Sequence, residues 1–257
     1  MTLLFDTANL FRRALKKFIR TPILIFFSLF QPIIFLVLFT QLFHSFNLLP
    51  GFPKGVSYLE FAAGGILLQN AFSASLQSGT SIVADINDGF LQKMLVTKVS
   101  RAAILLGRLG MDAFRVTIQS LIILVMAYAL GFTVATGFLG ILLILFIIAF
   151  FGLALSGISL AIGMKTKSSE TVAAISGFLI FPLLFMSTAL VPVTFMPKWM
   201  QYVSDVNPIS FAVNAVRDLS MPGYYSLGAE VSGLAVIAGI TIVTMGATLY
   251  MFRKVVS

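Results

Sequence analysis

Residues 181–217 read FPLLFMSTALVPVTFMPKWMQYVSDVNPISFAVNAVR. The run up to Val191 is compatible with hydrocarbon, but the chain then passes Pro192 and Pro197 into segments that mix apolar and charged residues. Past Pro197 the apolar residues recur at helical spacing in two pieces, divided at Asn207-Pro208. Asn207 is suited to cap the second piece, and Pro208 to occupy its first position, where the missing N–H has no helical partner anyway. Trp199, Tyr202, Tyr224 and Tyr225 combine an apolar body with a polar tip and favour the headgroup level. The stretch therefore predicts a membrane span that surfaces into two short interfacial helices, a lid of which Pro192, Pro197, Trp199, Asn207, Pro208 and Arg217 are the marked positions. Arg217 is expected to hold the second helix near lipid phosphate or a carboxylate such as Asp205 or Asp218.

The rest of the chain agrees with a membrane setting. Of 257 residues, 59% are hydrophobic and 10% charged, with a mean hydropathy of +1.03. Soluble domains carry about 25% charge, so this chain cannot cover its own core with polar surface. The formal charge of +8 is scattered in short clusters between apolar runs. No basic stripe for nucleic acid results. Cysteine is absent, which excludes disulfides and thiolate metal sites. The lone His44 rules out a multi-histidine metal site and reads as a loop or helix-end residue. The positive cluster comes late in MTLLFDTANLFRRALKKFIRTP and a span-length apolar run follows, so no removable signal peptide is predicted.

Six apolar segments are expected to span, at about 22–42, 57–79, 112–132, 138–162, 171–191 and 231–252. The first covers roughly 30 Å as a helix, enough for the hydrocarbon core, with Pro32 expected to kink it. The second is less apolar. Its Ala62-Ala63-Gly64-Gly65 run predicts close helix–helix approach. Basic residues segregate across these six: Arg12, Arg13, Lys16, Lys17, Arg20, Lys93, Lys98, Arg101, Arg108, Arg115, Lys165, Lys167, Arg253 and Lys254 share one face, leaving Lys54, Lys198 and Arg217 on the other. The positive-inside rule puts both termini in the cytoplasm.

Outside the spans, residues 1–21 form a basic amphipathic helix that suits the cytoplasmic interface and anionic lipid. The pattern fits a topology anchor and a partner-docking element equally. In the loop after the second span, Phe90, Leu91, Met94 and Leu95 share one face of a short helix whose start Asp88 is placed to cap. Such a face needs a cover, either the protein's own membrane body or a second protein. Asp112 and Arg115 are spaced to pair. Glu60, Glu170 and Glu230 sit near span ends and read as anchors or helix contacts, while Gln69, Asn70 and Gln119 lie deeper and satisfy neighbours or line a path. Asp85 and Asp88 make no catalytic dyad, and no phosphate-binding loop of the G-x-x-x-x-G-K-[ST] type is present. If ATP drives this protein, the ATPase is another chain.

The opening stretch resembles the signature of ABC-2 type permeases, the membrane subunits of type V exporters. The matching elements are Phe181-Pro182-Leu183, Ser187, Val191-Pro192, Pro197-Lys198-Trp199, Asn207-Pro208-Ile209-Ser210 and Ala215-Val216-Arg217. A second match is Asp88-Gly89-Phe90-Leu91 followed by Leu95-Val96-Thr97-Lys98-Val99-Ser100-Arg101, in which Lys98 stands where the family pattern has proline. The resemblance covers nearly the whole chain and is nearest to the compact, daunorubicin-resistance-like permeases. It implies an all-α integral membrane protein, with an interface helix over 1–21 and an ABC-2 type transmembrane domain over 22–257. It also implies a coupling helix seated in the ATPase, carried by Asp88, Gly89, Phe90, Leu91, Met94, Leu95 and Arg101, and extracellular helices over 192–228.

The resulting expectation is a plasma-membrane permease subunit, not itself an enzyme, that moves a hydrophobic or amphipathic drug or lipid outward. Two copies would assemble with two ATPase subunits that hold the ATP and Mg, in contact with membrane lipid and without nucleic acid. A lipid-linked glycan is the alternative cargo. An ion-coupled secondary transporter is the alternative of another class, but it would need midplane charges and an internal repeat, and neither is evident.

Overall fold

The computed structural model describes residues 3–221 and 227–256, and every regular element among them is helical. The elements are α1 (Leu3–Ile19), α2 (Pro22–Leu42), α3 (Tyr58–Asn87), α4 (Phe90–Leu95), α5 (Arg101–Ala129), α6 (Gly137–Thr166), α7 (Ser169–Phe185), α8 (Lys198–Val206), α9 (Pro208–Ser220) and α10 (Leu227–Val256). Short 3-10 turns over His44–Leu48 and Val193–Phe195 complete the described set. The expected headgroup positions of Tyr224 and Tyr225 lie outside the described residues.

Four of the described helices are long and apolar enough to cross a membrane: α2 over Ile25–Leu42, α5, α6, and α10 over Glu230–Phe252. The chain is thus a multi-span, all-α membrane protein. The other two expected spans fall short of that standard for different reasons. α3 has ample length at 30 residues, but its Gln69, Asn70 and many Ala, Gly and Ser residues dilute its apolarity. Most of its side chains are instead buried in protein. α7 stops after 17 residues, at Phe185, short of the expected 191.

Helix boundaries follow local chemistry. Ser57 starts α3 by a reciprocal cap: its hydroxyl accepts from the Glu60 N–H at 3.2 Å, while its own N–H donates to Glu60 Oε2 at 2.8 Å. Glu60 is therefore committed to a helix start, with Thr133 Oγ1 donating to its other oxygen at 3.2 Å. Ser100 caps α5, accepting from the Ala103 N–H at 3.1 Å. As a result α5 begins eleven residues before the expected 112, and α3 runs on well past 79. The loop between the second and third segments shrinks to little more than α4.

α6 is the centre of the bundle, packed against α3, α5, α9 and α10. Its approach to α3 is close enough that side chains would block it. A methyl on Gly79 would come within 2.4 Å of the Ser159 carbonyl oxygen, and one on Gly163 within 2.6 Å of that of Gly79. The Ser159 hydroxyl lies 3.1 Å from the Gly79 nitrogen and 3.2 Å from the Leu76 carbonyl oxygen. Where lipid supplies no hydrophobic drive between helices, such small-residue contact and interhelical hydrogen bonds hold them together. The Gly64-Gly65 pair serves the same end: a methyl on Gly65 would meet the Ala189 carbonyl oxygen at 2.5 Å.

Candidate functional site

Two assemblies gather the marked residues, one at each end of the bundle. The first is built on α4. Gly89 sets its start with φ +67, a left-handed conformation that glycine adopts without steric cost. Asp88 was expected to cap α4, but it closes α3 instead and makes no side-chain cap bond to α4. Leu91 and Met94 are buried, packed with Ile82 and Ile86 of α3, Ile104 and Leu105 of α5, Leu160 and Met164 of α6, and Phe252 of α10. Phe90 and Leu95 are half-buried against the same cluster. The apolar face is therefore covered by the protein's own body, one of the two covers its pattern allowed.

What α4 offers outward is Gln92, Lys93 and the following Val96, Thr97 and Lys98, with Val96 87% exposed. Hydrophobic periodicity could not mark these residues, because it finds the face that packs. Arg101 opens α5 and is exposed. Beside α4, Arg108 pairs with Asp85, which fastens the start of α5 to the end of α3. α1 lies along α5, with Phe11 set edge-on to Phe114 at 5.8 Å and Leu10 over Gly107. The Arg13 guanidinium rests on the Phe90 ring. Asp112 and Arg115 pair as their spacing suggests, and Asp112 also accepts from Ser78.

The second assembly closes the opposite end. α7 ends at Phe185 and runs into the buried turn 187–190, and carbonyls at a helix end taken from water need side-chain partners. Two residues of the opening stretch supply them. Asn207 caps α9, its Oδ1 accepting from the Ile209 N–H at 2.9 Å, and its Nδ2 donates to Leu183 O at 2.8 Å and Met186 O at 3.2 Å. Arg217 donates through Nε to Phe61 O at 2.9 Å and through Nη2 to Thr188 O at 2.6 Å and Ala189 O at 3.0 Å. Its guanidinium also stacks 3.6 Å from the centre of the Phe61 ring. The Ser210 hydroxyl accepts from the Thr188 N–H at 3.1 Å, and Tyr58 donates to Leu190 O at 3.1 Å.

This geometry corrects the picture of a two-helix lid resting on the membrane. α8 fits it, since Trp199, Tyr202 and Val206 are exposed. α9 does not: Ile209, Ala212, Val213, Ala215, Val216 and Leu219 are buried, and the helix is wedged among α3, α6 and α10. Arg217 lies 5% exposed within the protein, holding backbone carbonyls of α3 and of the turn after α7. Pro208 occupies the first position of α9 as expected, and Pro192 is buried while Pro197 precedes α8 at the surface. Sequence reasoning missed Phe61, Tyr58 and Ser210 as members of this assembly. Ser210 stood within the quoted signature, whereas the partnership of Phe61 with a residue 156 positions away left no local sign.

Two of the deeper polar residues bond to neighbouring helices through their amide nitrogens, while the buried Oε1 atoms of Gln69 and Gln119 find no partner among the described residues. Asn70 Nδ2 donates to Ser120 Oγ at 3.4 Å, and Gln119 Nε2 to Ser28 Oγ at 2.7 Å. No cluster of three or more His, Cys, Asp or Glu suited to a metal occurs among the described residues.

The profile of the ABC-2 type transporter family matches residues 7–221, which include α4 and all of the second assembly. The chain belongs to the ABC-2 type transporter family. It is 31% identical over 245 residues to the daunorubicin resistance ABC transporter permease protein DrrB1 of Streptomyces coeruleorubidus, covering 94% of this chain and 84% of that protein. A putative transport permease, ycf38, of Cyanophora paradoxa is 30% identical over 85% of this chain and 76% of its own length. A probable doxorubicin resistance ABC transporter permease protein, DrrC, of Mycobacterium tuberculosis is 25% identical over 82% and 75%. Like these ABC-2 permeases, the chain is the non-catalytic, membrane-spanning subunit of an ABC exporter, whose ATPase is a separate subunit in this architecture.

Proposed function

We propose that two copies of this permease and two ATPase subunits form an exporter of hydrophobic or amphipathic drugs or lipids in the plasma membrane. ATP and Mg are held by the ATPases. Both termini and α4 face the cytoplasm, residues 192–221 face outward, and the chain crosses six times. α3 crosses shielded by its neighbours, and α7 spans with the help of the turn that follows it. The charge segregation supports this orientation, and the burial of α3 explains how a less apolar helix crosses.

The observation that carries the coupling role is the mounting of α4. Leu91 and Met94 root it among α3, α5, α6 and α10, while Val96, Lys93 and Gln92 stand free at its outer side. A helix seated mainly on α3, in an apolar cluster that also takes in α5, α6 and α10, passes a push into the bundle through α3. Docking thus falls to the outer side of α4 together with Arg101, and Phe90, Leu91, Met94 and Leu95 serve as its root. The names of the relatives support a drug-like cargo, and Phe26, Phe27 and Phe30 of α2 with Phe178, Phe181 and Phe185 of α7 present aromatic surface for lipid, cargo or the second permease.

Inside-out vesicles that hold the permease with its cognate ATPase provide the test, using quenching of daunorubicin fluorescence as the readout. ATP-dependent uptake by wild type, lost in Val96→Asp at normal expression, is the expected result. Uptake that is absent in wild type despite coupled ATP hydrolysis refutes the drug cargo. Unchanged uptake and ATPase association in Val96→Asp refutes docking at this face.

A further inference from the structure

A cleft of about 570 Å³ opens between α1, the start of α2, the end of α3 and α5, a volume in the range of small-molecule sites, about 300–1,000 Å³. Its charged lining residues are Lys17 and Arg115. Arg115 gives one N–H to Asp112 and another, from Nη1, to Gln77 Oε1 at 2.7 Å. A guanidinium has five N–H donors, and the Nε–H of Arg115 is buried with no partner among the described residues. With Asp112 already answering Arg115 and Ser78, two cations stand against one carboxylate. The hydroxyl residues Thr80 and Ser81 also line the cleft, while Phe18, Ile25 and Phe27 make its apolar side.

Depth adds to the chemistry. α5 rises about 1.5 Å per residue, so Arg115 lies roughly 21 Å from the outer end of that helix, in the inner half of a hydrocarbon core of about 30 Å. α1 lies along α5 and turns at Thr21 into α2, with Thr21 also in the lining. The cleft therefore has an apolar side, two cations in its lining, and a position in the inner half of the bilayer.

We propose that this cleft binds the headgroup of an anionic phospholipid of the inner leaflet. Lys17 and Arg115 hold the phosphate, and Phe18, Ile25 and Phe27 receive the first acyl carbons. The occupant would brace the elbow between α1 and α2 against α3 and α5. The leaflet rests on the orientation proposed above; the site itself does not depend on cargo or ATPase.

Delipidated permease in detergent tests the proposal by native mass spectrometry, with dioleoylphosphatidylglycerol, dioleoylphosphatidylcholine and sn-glycerol 3-phosphate as probes. Phosphatidylglycerol is expected to bind at one site per chain, and the other two far more weakly. Lys17→Gln should weaken it about five-fold, the effect of one basic residue on an anionic surface. Arg115→Gln should weaken it further, but strips Asp112 of its partner and risks the fold. Ser81→Phe is therefore included, filling the cleft from outside the ion pair, and it should abolish binding. Arg12→Gln, on α1 but away from the cleft, should leave affinity unchanged. Unaltered phosphatidylglycerol binding in Lys17→Gln and Ser81→Phe overturns the site, as does an equal loss in Arg12→Gln. Equal affinity for phosphatidylcholine, or for glycerol phosphate, overturns the anionic-lipid assignment.

Discussion

The Arg13 guanidinium lies 3.5 Å from the centre of the Phe90 ring. This joins the amphipathic helix α1 to α4, two elements that are far apart in the chain. Arg13 is exposed and Phe90 half-buried, so the contact is worth about 0.5–1 kcal/mol. Phe90→Leu keeps the apolar root but removes the ring, so the melting temperature should move little while substrate-stimulated ATP hydrolysis falls several-fold. Arg13→Lys should retain more coupling than Arg13→Ala. Equal stimulation in all three variants would show that α1 and α4 move independently.

Arg217 answers three carbonyls from two places in the fold. Hydrogen bonds to a charged group contribute about 1.5–3 kcal/mol each, though not additively. Arg217→Met keeps the bulk and leaves the carbonyls bare, so a loss of about 3 kcal/mol is expected. Arg217→Lys should recover only part, because an ammonium cannot reproduce the planar fork. Detergent melting curves followed by size exclusion check both. A melting point unmoved by Arg217→Met would mean that water reaches these carbonyls.

Asn207 combines a helix cap with two bonds to the end of α7. Asn207→Ala should cost about 2–3 kcal/mol, while Trp199→Ala, at an exposed position of α8, should leave stability within about 0.5 kcal/mol. If α8 serves as an outer lid, Trp199→Ala lowers export per ATP hydrolysed. Normal transport efficiency in Trp199→Ala would reduce α8 to a tether.

Gly79 and Gly246 offer a matched pair of helical glycines. A methyl at Gly79 runs into the Ser159 backbone, whereas one at Gly246 meets nothing within 4 Å. Gly79→Ala should force α3 from α6 and destabilise by more than about 2 kcal/mol. Gly246→Ala should be neutral or stabilising by up to about 1 kcal/mol, since alanine is the better helix former. Comparing the melting temperatures of the two variants checks the helix crossing directly.

Phe178, Phe181 and Phe185 form an exposed stripe on α7, with the last two rings stacked at 6.1 Å. If this face meets the second permease, Phe181→Cys should give a disulfide-linked dimer on mild oxidation. The chain has no cysteine of its own, so any such band reports that position. Tyr250→Cys, at an exposed site of α10, serves as the comparison. Cross-linking at Tyr250→Cys in place of Phe181→Cys would move the interface to α10.

Hydropathy and charge were enough to establish a multi-span membrane protein, to bound α2 at its observed ends, and to reveal the Asn207-Pro208 break with its cap. Each is a local property, set by neighbours a few residues apart or by the cost of taking a charge out of water. What packing decided lay beyond that reach. Whether the face of Leu91 and Met94 met a partner or the protein itself depended on α3, α5, α6 and α10 arriving beneath it. Arg217 reads as a surface anchor until Phe61 and the end of α7 surround it with backbone carbonyls. The same burial lets α3 carry Gln69 and Asn70, because a helix enclosed by others need not be as apolar as one that faces lipid. Amino-acid order sets which surfaces are apolar, but only the tertiary structure determines which atoms take the place of water around a buried charge or a helix end.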